Sequence, residues 1–81
     1  MTTIEFLAKL PADERDMMRL RYPPMGGKHL TDREIAAIYN TSEVGVRQLL
    51  NRAIRKAREV AKNDANMRLF LIQTGIGLKN P

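Results

Sequence analysis

LTDREIAAIYNTSEVGVRQLLNRAIRKAR, residues 30–58, sets a short apolar helix pattern, a turn and a long two-faced helix in one line. At about 100° per residue from Val44, the side chains of Arg47, Gln48, Asn51, Arg55 and Arg58 fall within about 60°, and Arg52 lies at the edge of that arc. Val46, Leu49, Leu50, Ala53, Ala57 and Val60 cover the opposite side. One face is built to pack on a small core. The other suits an anionic partner that presents hydrogen-bonding edges, which is the division a helix-turn-helix requires of its second helix.

The turn itself follows from residue chemistry. Asn40 adopts a left-handed backbone more cheaply than most residues and can stop a helix sharply. Ser42 then caps the next helix, with Glu43 in its first turn, where the helix dipole favours an acid. Gly45 costs about 1 kcal/mol relative to alanine inside a helix. It either permits close approach of a backbone, from DNA or a neighbouring helix, or is simply tolerated near a helix end. Upstream, Thr31 and Glu34 form a capping box that opens a helix whose apolar side is Ile35, Ala36, Ile38 and Tyr39.

Working outward, Ile4, Leu7, Ala8 and Leu10 suit a short amphipathic segment ending near Pro11. A second helix is expected from Pro11 or Ala12, through Met17, Met18 and Leu20, to Arg21 or Tyr22. Pro23 and Pro24 force an extended exit, and PPMGGKH is a loop without phosphate-loop spacing. After Lys62 the pattern weakens at Asn63-Asp64. A last short helix is expected over Ala65–Gln73, with Met67, Phe70 and Leu71 on one side. Gly75 and Gly77 end it, and Lys79-Asn80-Pro81 is expected to fray. The predicted architecture is all-α, a small helical bundle with a helix-turn-helix. It divides into an N-terminal extension (1–9), a helix-turn-helix domain (10–62) and a short helix with tail (63–81).

Composition narrows the function. At 81 residues the chain makes one small domain. The lack of cysteine excludes disulfides, thiolate metal sites and cysteine nucleophiles. The apolar runs are too short to span a bilayer, and MTTIEFLAKL lacks the form of a secretory signal. Between Arg47 and Lys62 there are six basic residues and one acid, a surplus equal to the +5 of the whole chain. Basic residues gathered opposite an apolar stripe, directly after a turn, point to nucleic acid. RNA fits less well, because there are four aromatics and none lies on the basic face to stack on bases.

His29 is the single histidine and has no neighbouring serine, cysteine or paired carboxylate, so it reads as a surface residue. Asp13, Glu14, Asp16, Asp32 and Glu34 read as helix N-terminal charges and salt-bridge partners, and the four methionines beyond Met1 mostly as core filler. No enzyme, cofactor, metal site or small-molecule substrate is expected.

LPADERDMMRLRY, a loop, and then LTDREIAAIYNTSEVGVRQLLNRAIRKAR together resemble region 4 of sigma-70-type bacterial sigma factors. That family sets a leucine-rich helix ending in an Arg-aromatic pair before a T-x-x-E-I-A helix, a Ser/Thr-capped turn and a V-R-Q recognition helix. The matching residues are Leu10, Glu14, Arg15, Leu20, Arg21 and Tyr22; then Thr31, Glu34, Ile35 and Ala36; then Ser42, Val46, Arg47, Gln48, Arg52, Ala53, Arg55, Lys56 and Arg58. The resemblance implies binding of double-stranded promoter DNA beside bacterial core RNA polymerase, in the cytoplasm of a bacterium or phage-infected host. Ser42, Val44, Arg47, Gln48, Asn51, Arg52, Arg55, Lys56 and Arg58 are the candidate DNA contacts.

Two departures bear on function. Where the family carries Arg-Glu-Arg after the cap, this chain has Glu43-Val44-Gly45. No arginine of the recognition helix precedes Arg47, so the usual upstream promoter sequence is not expected to be read. No segment resembles the aromatic-rich region with which complete sigma factors open DNA. The sequence is therefore expected to be either a domain cut from a longer protein or a small stand-alone regulator of phage or accessory type. The alternative is a polymerase- or sigma-binding module that keeps the fold with weak DNA readout. The tail from Met67 would cover the core, join a dimer or touch polymerase.

Overall fold

A computed structural model describes residues 1–79 as five helices: α1 (Thr3–Ala8), α2 (Ala12–Arg21), α3 (Asp32–Tyr39), α4 (Glu43–Ala61) and α5 (Ala65–Gln73). The architecture is the all-α helix-turn-helix bundle expected from the sequence. The long helix α4 is the spine, packed against α2, α3 and α5, while α1 closes the side between α2 and α5. None of the described helices is long and apolar enough to cross a membrane.

The inner side of α4 is Val46, Leu50, Ala53, Ile54, Ala57 and Ala61, with Leu49 and Val60 half-buried. Ala53, Ala57 and Ala61 recur every fourth residue, and small side chains at that spacing let neighbouring helices approach closely. Against this side pack Met17 and Met18 of α2, Ile35 and Ala36 of α3, and Met67, Phe70 and Leu71 of α5. The segment from Met67 thus covers the core, and one continuous apolar cluster draws on all five helices.

Two apolar stripes are corrected. In α1 the buried residues are Phe6 and Leu7, followed by Leu10, whereas Ile4 is 54% exposed and Ala8 faces solvent. Six residues present one narrow face, and Phe6, the largest side chain available, decides the helix rotation; Ile4 is then about 200° away. In α3, Ile38 is 61% exposed. Ile35, Ala36 and Tyr39 centre the packed stripe, and Ile38 lies about 110° round from its middle. The methionines beyond Met1 mostly fill the core, as expected: Met17, Met18 and Met67 are buried, while Met25 is 85% exposed on the loop, where the extended Pro23-Pro24 exit and positive-φ Gly26 and Gly27 carry the chain away from the bundle.

The ends of the helices obey local chemistry. Thr31 Oγ1 accepts the Glu34 N–H at 3.1 Å while Glu34 Oε1 accepts the Thr31 N–H at 3.0 Å. Thr2 and Glu5 repeat this box at α1. α2 starts without a side-chain cap after Pro11 and stops at Tyr22, before the prolines. Asp64 caps α5 by accepting the Met67 N–H at 3.0 Å, and Gly75 and Gly77 leave the helix at positive φ. The expectation for Asn80 and Pro81 lies outside the described residues.

Candidate nucleic-acid interface

The helix-turn-helix is α3, a three-residue turn and α4. Asn40 stands at φ 52° and ψ 49°, the left-handed conformation expected for it. This lets the Thr41 N–H reach back to the Ala36 carbonyl at 3.0 Å, so the end of α3 stays hydrogen-bonded as the chain reverses. Ser42 Oγ then accepts the Gly45 N–H at 3.0 Å and opens α4. A Cβ on Gly45 would lie 3.0 Å from Thr41 Oγ1 and 3.2 Å from Ser42 Oγ. The glycine therefore makes room for the turn's own hydroxyls. Neither of the two sequence-based readings of Gly45 included that cause, although two hydroxyl residues three and four positions before it were a usable signal.

Val44, Arg47, Gln48, Asn51, Arg52 and Arg55 all face solvent along one side of α4. Arg52 and Arg55 take part in none of the ion pairs among the described residues. Arg47 is more constrained. Its Nε lies 3.7 Å from Asp32 Oδ2, while Asp32 Oδ1 lies 3.4 Å from Arg21 Nε. Arg21 in turn sits over the Tyr22 ring at 4.9 Å. Asp32 thus joins the ends of α2 and α3 to the exposed face of α4, a link that sequence spacing did not reveal.

The remaining basic residues of α4 are turned to other uses. Lys56 Nζ lies 3.0 and 3.3 Å from the two carboxylate oxygens of Glu14, which is 3% exposed. Arg58 donates from Nε to the Gly77 carbonyl at 3.1 Å and from Nη2 to the Ile76 carbonyl at 3.0 Å. Lys62 pairs with Glu59 at 3.0 Å. The continuous basic face read along α4 is therefore open through Arg55 and engaged with the protein itself beyond it.

Hydrogen bonds also set the acids near the turn. The Thr31 backbone N–H, with its side chain, holds the Glu34 carboxyl below its ordinary range. His29 is exposed on the loop. Among the described residues no cluster of histidine, aspartate and glutamate is placed to hold a metal ion.

The family model "Sigma-70, region 4" matches residues 6–59, from the start of the core in α1 to the last turns of α4. No curated protein and no solved structure matches the chain. The match covers about two thirds of the 81 residues, including both helices of the helix-turn-helix and its turn. The chain therefore belongs to the sigma-70 region 4 family and carries a DNA-binding helix-turn-helix module related to sigma factors.

Proposed function

We propose that this chain is a transcription regulator that docks the first half of α4 in the major groove of promoter DNA and works beside RNA polymerase. The carrying observation is the exposed face Val44, Arg47, Gln48, Asn51, Arg52 and Arg55, held from behind by the core and started by the Ser42 cap. Arg47, Arg52 and Arg55 supply phosphate contacts, and Gln48 and Asn51 present amides to base edges. Lys56 and Arg58 join the surface only if they release Glu14 and the tail carbonyls.

Three phosphate contacts give a log–log salt slope of about −2.7, at about 0.9 per phosphate. Fluorescence anisotropy with duplex DNA across a salt series tests this, and a slope near zero rejects it. Pull-down of core RNA polymerase on the immobilised chain, with and without promoter DNA, tests the second half of the proposal.

One observation favours a second reading, a polymerase- or sigma-binding module with weak DNA readout. Glu43 begins α4, Asp32 lies beside Arg47, and no α4 cation precedes Arg47. The tip that would enter a groove is therefore less positive than the rest of the face. Capture of polymerase without DNA, together with flat salt dependence for duplex, selects this reading.

A further inference from the structure

We infer that α4 reads A·T base pairs, through an uncharged row of side chains whose arginines are confined to its edges and far end. The inference rests on the DNA-binding reading above and adds to it the class of site recognised.

Val44, Gln48 and Asn51 lie along one line of α4, within about 40° of Val44. Arg47 stands about 60° to one side and Arg52 about 80° to the other, while Arg55 continues the line one turn further on. Val44 is 56% exposed and does not belong to the apolar residues packed on the core. The amides of Gln48 and Asn51 are exposed and have no hydrogen-bond partner among the described residues. The row is thus free, and its three members offer one apolar surface and two amides.

The major groove gives each base a distinct pattern. Guanine is read by arginine or lysine at O6 and N7, and cytosine by a carboxylate accepting from N4. Adenine is read by glutamine or asparagine at N6 and N7, and the thymine methyl by an apolar side chain. The row holds the second pair of chemistries and neither of the first. Glu43, the nearest carboxylate in sequence, lies about 100° off the line. Arg47 is drawn toward the start of α3 by Asp32, 3.7 Å away, which turns it from the row's centre to its flank. Cations on opposite flanks of a groove-bound helix face the two phosphate strands, where they position the protein without reading sequence. Val44 therefore contacts a thymine methyl, and Gln48, one turn along, an adenine within the next base steps.

The test uses the full chain and a pool of short duplexes with a randomised centre. After selection, each central thymine of the enriched duplex is replaced by deoxyuridine, which removes the methyl group and keeps every hydrogen bond. Enrichment of A·T pairs is expected, with one deoxyuridine weakening binding about four-fold, the worth of one buried methyl group. That loss should shrink in Val44→Ala, which draws the apolar contact back to Cβ at an exposed position and leaves the fold intact. Gln48→Ala should lower discrimination at the neighbouring pair by about five-fold or more. Enrichment of G·C pairs, or deoxyuridine without effect at every position, overturns the inference. Salt-sensitive binding with no enriched sequence overturns it too while leaving the DNA-binding reading standing. Absence of any salt-sensitive duplex binding removes both.

Discussion

Both halves of α4 are basic, but they put their cations to different uses. In the first half, Arg47 and Arg52 project to solvent, and Arg55 follows just beyond. In the second, Lys56 reaches across to α2 and meets a buried carboxylate, and Arg58 grips the carbonyls of the chain after α5. The difference arises from neighbours rather than from the helix. Lys56 has a carboxylate of α2 within reach and Arg58 the carbonyls after α5, whereas Arg52 and Arg55 have no ion-pair partner among the described residues. Arg47 stands between the two cases, exposed on α4 yet 3.7 Å from Asp32.

The sharpest way to break this contrast is to compare Lys56→Ala with Arg55→Ala. Glu14 is 3% exposed, so removing Lys56 strands a buried carboxylate and should destabilise the domain by about 1–3 kcal/mol. In a domain of this size that lowers Tm by roughly 4–8 °C per kcal/mol. Arg55→Ala should leave Tm within about 2–4 °C, as expected of a surface change below about 0.5 kcal/mol. Equal melting shifts in the two variants would contradict the division of α4.

DNA binding should show the opposite order. Alanine at Arg47, Arg52 or Arg55 should each flatten the log–log salt slope by about 0.9. Lys56→Ala and Arg58→Ala should leave it unchanged, once the Lys56 variant is measured below its melting range. If Arg58→Ala lowers the slope as much as Arg55→Ala, the tail releases that guanidinium when DNA arrives. The open face then extends to the end of α4.

Much of this arrangement could be read from the chain, and the exceptions share a cause. The Asn40 reversal, the Ser42 cap and the Thr31–Glu34 box were legible because donor and acceptor lie within one helical turn, so side-chain chemistry alone decides them. The inner side of α4 was legible because nineteen residues give the periodicity room to repeat. Short helices gave less. Ile4 and Ile38 fit apolar stripes, yet in α1 and α3 the rotation is set by one or two large neighbours, Phe6 and Tyr39. Glu14 and Lys56 are 42 positions apart, and Arg58 meets carbonyls 18 and 19 residues on. No local pattern marks such pairs, so Lys56 and Arg58 looked like members of one basic face.

Arg58 provides the next test in order of size. Its two bonds to the Ile76 and Gly77 carbonyls hold the segment after α5 against α4. Arg58→Ala should cost about 1.5–3 kcal/mol, the range for hydrogen bonds involving a charged group. Hydrogen exchange at the Gly75 and Gly77 amides, which donate to Ile72 and Leu71, should speed up more than exchange in α3. Uniform acceleration across the domain would mean that Arg58 supports the whole core and not the tail alone.

The smallest expected effect concerns the two helix starts that frame the turn. Glu34 sits in the Thr31 box, and hydrogen bonds from Thr31 hold its carboxyl below the ordinary 4.5. A carboxyl depressed on folding contributes stability that is complete above 4.5 and lost as pH falls through the lower folded value. α4 has Gly45 at the corresponding place, so its Ser42 cap has no carboxylate to lose. Acidification below about 4.5 should therefore loosen the first turn of α3 before that of α4. Exchange at the Glu34 and Gly45 amides, followed from pH 6 to 3, reports the two caps separately. Glu34→Ala should remove the pH dependence at the α3 cap, while Ser42→Ala should weaken the α4 cap by about 1 kcal/mol at every pH. If acid loosens both starts together in the wild type and in Glu34→Ala alike, the turn responds as one unit, and the Thr31–Glu34 box is not its acid-sensitive element.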